Sequence, residues 1–133
     1  MGTMKQFANK YRIKARAEWA DSNPHMADSQ NMNHFKVTLR AAGRQMTLYF
    51  SQGYGISGEP TAADVLNCLA SDAASVENNN LTGFEGWASD LGYDPDSRKA
   101  EKIFKTIEKQ AERLKKFLGE ELYKTLLWDT EGL

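Results

Sequence analysis

From Tyr11 to Trp19 apolar and charged residues alternate strictly. Tyr11, Ile13, Ala15, Ala17 and Trp19 hold the odd positions, and Arg12, Lys14, Arg16 and Glu18 the even ones. Period-two alternation predicts a strand with one buried and one wet face. The alternation returns at 35–41, with Phe35, Val37, Leu39 and Ala41 inward and Lys36, Thr38 and Arg40 outward. After a turn at Ala42-Gly43-Arg44 it resumes, with Met46, Leu48 and Phe50 set against Gln45, Thr47, Tyr49 and Ser51. These last two runs predict a hairpin. The stretch 20–34 between the first two runs is polar and broken by Pro24, longer than a usual hairpin connection.

The period then changes. Residues 52–60 form a Gly-rich connection. Thr61, with Asp64 three residues on, caps a helix running to about Val76 that buries Val65, Leu66, Leu69 and Ala73. Thr82 and Glu85 make a capping box for a short helix carrying Phe84, Trp87 and Leu91, ended by Gly92. Asp94-Pro95 opens the longest helix, about 95–118, with Ile103, Ile107, Ala111, Leu114 and Leu118 as its apolar stripe and Phe104 and Phe117 alongside. Glu101 faces Lys105 and Glu112 faces Lys116 at i,i+4. Gly119 separates a last helix over 120–128, with Leu122, Leu126, Leu127 and Trp128.

The expected architecture is α+β, a three-stranded antiparallel β-sheet followed by three to four α-helices packed on one face. One domain is expected over 1–133: a flexible N-terminus at 1–10, the sheet over 11–51 and a helical half over 61–128. Met1-Gly-Thr ahead of Met4 reads as an appended start. The opening residues lack the apolar run of a signal peptide, and no stretch approaches the ~20 apolar residues of a membrane span.

The net charge of −1 conceals a split. Residues 1–60 carry eight Lys/Arg against four Asp/Glu, and residues 61–133 nine against fourteen. A basic patch is thus compatible with a neutral total. The outer sheet face gathers Arg12, Lys14, Arg16, Lys36 and Arg40, with Tyr49 beside them. Like charges on neighbouring strands repel unless a counterion or partner lies on them. Nucleic-acid phosphate or an acidic protein surface would suit, and so would cover by the protein's own acidic half.

Other constellations carry less. Gly53-Tyr54-Gly55-Ile56-Ser57-Gly58 matches G-x-G-x-x-G between a strand and a helix, but no second parallel strand follows as a dinucleotide fold requires. It reads as a sheet-to-helix connection, with backbone N–H groups as a residual anion site that Glu59 disfavours. The run from Asp94 has Arg98 and Lys99 where a calcium loop needs a ligand and glycine. His25, Met26, Met32 and His34 follow no metal-ligand spacing. Ser57 lacks the G-x-S-x-G elbow, and no catalytic constellation or cofactor is indicated. Cys68 sits by Leu69 and reads as core or boundary. A lone cysteine suits a reducing compartment.

The second half also carries a resemblance. The run Pro60-Thr61-Ala62-Ala63-Asp64-Val65-Leu66-Asn67-Cys68-Leu69-Ala70-Ser71-Asp72-Ala73, then Phe84-Glu85-Gly86-Trp87, then Leu91-Gly92-Tyr93-Asp94 and Asp96-Ser97-Arg98-Lys99-Ala100-Glu101, resembles small accessory proteins of tailed phages and prophages over about residues 35–128. The resemblance implies a phage-type protein of the bacterial cytoplasm and, by analogy, one that binds a host or phage protein complex stoichiometrically. Separately, Cys68 and the apolar stripes point to no obligate oligomer while Trp128 could anchor one, so a monomer or dimer is expected. An inhibitor of a host defence such as CRISPR is the leading expectation. A nucleic-acid-binding accessory protein using the basic sheet face is the alternative, and a nucleotide-binding protein or enzyme at the Gly-rich loop a weaker one.

Overall fold

The computed structural model describes residues 3–23, 32–53, 58–78 and 98–128. The elements run α1 (Met4–Lys10), β1 (Lys14–Ala20), β2 (Met32–Ala41), β3 (Arg44–Gly53), α2 (Ala62–Asn78), α3 (Arg98–Leu118) and α4 (Glu120–Trp128). The strands form one antiparallel sheet of order β1-β2-β3. This is the α+β architecture that the periodicity predicts. The expected short helix over Thr82–Leu91, its Gly92 stop and the Asp94-Pro95 start lie outside the described residues.

The N-terminal segment corrects one expectation. Residues 4–10 are a helix, and Thr3 is its N-cap in a complete capping box with Gln6. Phe7 and Ala8 are buried in the main core. Seven residues are too few to reveal a helical period in the sequence, and tertiary burial of Phe7 supplies what propensity lacks. The helix closes in a Schellman motif. Arg12 adopts φ 54° and donates its N–H to Asn9 O, while Ile13 donates to Ala8 O at 2.8 Å. Tyr11 and Arg12 therefore belong to a helix stop, and the first strand starts only at Lys14.

The apolar sheet face carries three cross-strand rows: Ala15-Leu39-Met46, Ala17-Val37-Leu48 and Trp19-Phe35-Phe50. Val37 and Leu39 are fully buried in the same cluster as Val65, Leu66 and Leu69 of α2, Leu114 and Phe117 of α3 and Leu126 of α4. Burial fades toward the β1 edge. Ala15 and Ala17 are half-buried, and Trp19, expected inside, is 69% exposed while its ring stacks beside Phe35 at 4.9 Å. An edge strand receives cover from one side only, so alternation fixes the face of Trp19 and not its depth.

α2 begins as expected, with Thr61 N and Asp64 N each bonded to the other residue's side chain, at 3.0 and 3.2 Å. Gly119 breaks the chain between α3 and α4 at φ 87°. The β2–β3 hairpin turns through Ala42 and Gly43 at φ 50° and 76°, the signs of a type I′ turn. Alanine is a poor occupant there, because its Cβ crowds the backbone in the left-handed region. Ala42→Asn is expected to raise the unfolding free energy by roughly 0.5–1 kcal/mol, read as a higher urea midpoint at unchanged slope. A lowered midpoint would refute the turn assignment.

Candidate nucleic-acid interface

Register fixes what shares the outer sheet face. Across β1, β2 and β3 its rows are Lys14-Arg40-Gln45, Arg16-Thr38-Thr47, Glu18-Lys36-Tyr49 and Ala20-His34-Ser51. Lys14, Arg16, Lys36 and Arg40 are all exposed, and Tyr49 is half-buried. Helices α2, α3 and α4 pack on the opposite face, so the described helices do not cover these cations. Glu18 faces Lys36 across the ladder and lies 3.6 Å from Arg16. Lys14 faces Arg40 directly. Positive charge therefore concentrates at the hairpin end. Arg12 is not part of the strand face, as its helix-stop position dictates, but it lines a concavity at that end with Lys14, Arg40 and Arg44.

The far end of the same face is polar and closed. His34, 6% exposed, lies with Nδ1 2.7 Å from Ser51 Oγ, which also accepts from Asn23 Nδ2 at 3.1 Å. His34 and Ser51 are cross-strand partners, so register brings together two residues that are 17 apart in sequence. The cluster ties the segment after β1 to the end of the β2–β3 ladder, and satisfies side chains that burial would otherwise penalise. The long polar loop is shorter than expected, since β2 starts at Met32. His25 and Met26 lie outside the described residues.

In the Gly-rich connection Gly53 ends β3, and Tyr54, Gly55 and Ser57 lie outside the described residues. Gly58 adopts φ 86°, and its carbonyl accepts from Gln52 Nε2 at 2.7 Å. That bond satisfies a buried Gln52 amide and shapes the approach to α2. Among the described residues no three His, Cys, Asp or Glu side chains converge as a metal site. No described helix is long and apolar enough to cross a membrane.

Cys68, expected at the core or its boundary, is an exposed residue, and its sulfur donates to Asp72 Oδ2 one turn on along α2 at 3.9 Å. Both residues line a cleft of about 260 Å³ between β3, α2 and α3. Burial of the sulfur, reinforced by the Asp72 carboxylate, pushes the thiol up from 9.0 to about 11. Burial also raises Asp72, against the opposing effect of the Cys68 hydrogen bond. At pH 9 the folded thiol should alkylate with iodoacetamide several-fold more slowly than the same thiol unfolded in urea, since only thiolate reacts. The linked stability is complete below the unfolded thiol value and is lost as pH rises through about 11. Alkylation at pH 8 as fast as in urea would contradict this environment.

Sequence halves obscured the charge of α3. Residues 98–118 carry eight Lys/Arg and three Asp/Glu. The acidic balance of the second half comes from residues 61–97, with seven Asp/Glu and no Lys/Arg, and from the last fifteen residues. Two arginines bind α3 to the sheet. Arg113 donates to Gln110 Oε1 and to the Thr47 carbonyl on the edge of β3. Arg44 donates to Lys116 O and Phe117 O at 3.5 and 3.4 Å, placing a cation on the negative end of α3. Counting charge along this one helix, in place of half the chain, would have revealed its sign. No protein-family model, curated protein or solved structure matches the chain.

Proposed function

We propose that this chain is a stoichiometric binding protein that holds nucleic-acid backbone on its basic sheet face. The observation that carries the reading is the Lys14–Arg40 pair: two exposed cations directly opposed across a ladder, open to solvent on the face that the described helices leave bare. Opposed like charges destabilise a sheet, and a bound phosphate reverses the sign of that interaction. Arg16 and Lys36 continue the face with Glu18 between them as counter-charge, and the half-buried Tyr49 is the cross-strand partner of Lys36.

Fluorescence anisotropy with a labelled oligonucleotide across a salt series tests this. Affinity should fall steeply with salt, and K14Q/R40Q should flatten the log–log slope by roughly 1.5, as expected for two lost phosphate contacts. Salt-independent binding, or a double variant that binds like the parent, would sink the reading.

The resemblance to phage accessory proteins supports a second reading, inhibition of a host-defence complex in a bacterial cell. Its test is plating efficiency of a targeted phage on a CRISPR-proficient host expressing the protein. A rise that disappears in the defence-deficient host supports inhibition. Equal plating with and without the protein counts against it.

A further inference from the structure

Three shallow concavities share residues end to end. The first, about 560 Å³, runs along α3 between Lys102, Lys105, Lys109 and Arg113. The second, about 540 Å³, leads from Arg113 past Lys116 to Arg44. The third, about 470 Å³, continues from Arg44 to Arg40, Lys14 and Arg12. Their linings hold nine cations and one carboxylate, Glu101, which is paired with Lys105 at 3.2 Å.

Helical phase makes the first part of this track. At 100° per residue Lys102, Lys105, Lys109, Arg113 and Lys116 fall within an arc of about 80°. All five are exposed, and they turn away from the stripe of Ala111, Leu114 and Phe117 that enters the core. Glu101, Glu108 and Glu112 cluster on the neighbouring arc, where Lys115 joins them, so the five track cations are set apart from the carboxylates. An ordinary solvated surface intersperses the two signs. The arginines at the joints are already anchored, Arg113 on Thr47 O and Arg44 on the end of α3, which fixes the path before any ligand arrives.

From these features we infer that the binding surface is a continuous track for single-stranded nucleic acid, running along α3, round the β2–β3 turn and onto the outer sheet face. This rests on the nucleic-acid reading above and extends it to a path and a strand type. The ridge from Lys102 to Lys116 spans about 21 Å at 1.5 Å per residue. α3 packs on the apolar side of the sheet and Lys14 and Arg40 face the other way, so the track changes sides at the hairpin. Duplex DNA has a persistence length of about 150 bp and resists such a turn over a few base pairs. A single strand follows it freely.

The test compares oligothymidylates of about 4 and about 16 nucleotides, the range of known single-strand sites. K102Q/K109Q/K116Q keeps helix propensity and leaves both anchoring arginines in place. It should weaken the long oligomer by tenfold or more at low salt and flatten its salt slope by about 2. A charge-matched control, K5Q/K115Q/K124Q, changes three exposed lysines off the track and should bind within about twofold of the parent. The track is overturned if the first variant binds the long oligomer like the parent, if the control loses as much, or if duplex of equal length binds more tightly. In those cases loss of binding in K14Q/R40Q still upholds the sheet face. Absence of binding by the parent protein to any oligomer overturns both.

Discussion

Phe35→Ala is expected to lower the free energy of unfolding by about 4 kcal/mol, the largest effect of any single substitution considered for this chain. Phe35 is 1% exposed on the central strand, between Trp19 on β1 and Phe50 on β3. Removing its ring forfeits the transfer energy of a large aromatic group and leaves a void that three strands and their helices cannot close without moving. A domain of this size commonly has about 5–15 kcal/mol in total, so the variant should sit near the edge of folding. Urea denaturation measures it as a midpoint shift at constant slope. Trp19→Ala is the internal comparison. The same aromatic row supplies both residues, yet Trp19 is 69% exposed, and its removal should change stability by about 1 kcal/mol or less. Equal losses for the two variants would mean that the sheet edge is covered and the described burial is wrong.

Leu114→Ala is expected to lower stability by about 3 kcal/mol. Leu114 has no exposed surface, and with Phe117 it brings α3 into the cluster that also holds Leu39, Leu48 and Leu66. Lys109→Ala, five residues earlier on the solvent side, should stay within about 0.5 kcal/mol. The contrast checks the phase of α3, which determines both halves of its function in the fold. If the helix were rotated, the two variants would exchange effects, and the lysines of the ridge would no longer share a face. Thermal unfolding followed by circular dichroism distinguishes the two cases. A Leu114→Ala loss below about 1 kcal/mol would remove the packing on which the track depends.

Much of this architecture was legible in the chain itself. Alternation at 35–41 and 45–51 identified the hairpin, because a strand must place successive side chains on opposite faces. Thr61 and Asp64 marked the start of α2, and the Ile107-Ala111-Leu114-Leu118 spacing marked α3, because capping and amphipathic spacing are local. The outward set Lys14, Arg16, Lys36 and Arg40 followed from the same alternation. Helix α1 was not legible: only Phe7 and Ala8 are buried, Met4 is partly so, and the four other residues are polar. Arg12 was misplaced by one structural unit, since a left-handed helix stop and a strand start read alike in a pattern of alternating polarity.

The amino-acid sequence alone determined the strand faces, the helix caps and the separation of apolar from charged stripes, all of which depend on neighbours within a few residues. The tertiary structure alone decided depth and adjacency. It set Trp19 outside and Val37 inside the same apolar face, joined Ser51 to His34, and turned the α3 ridge and the hairpin cations into one surface through Arg113 and Arg44. The physical reason is that burial and the electrostatic field are sums over groups brought together by packing. Such sums depend on distance in space, which spacing along the chain does not encode.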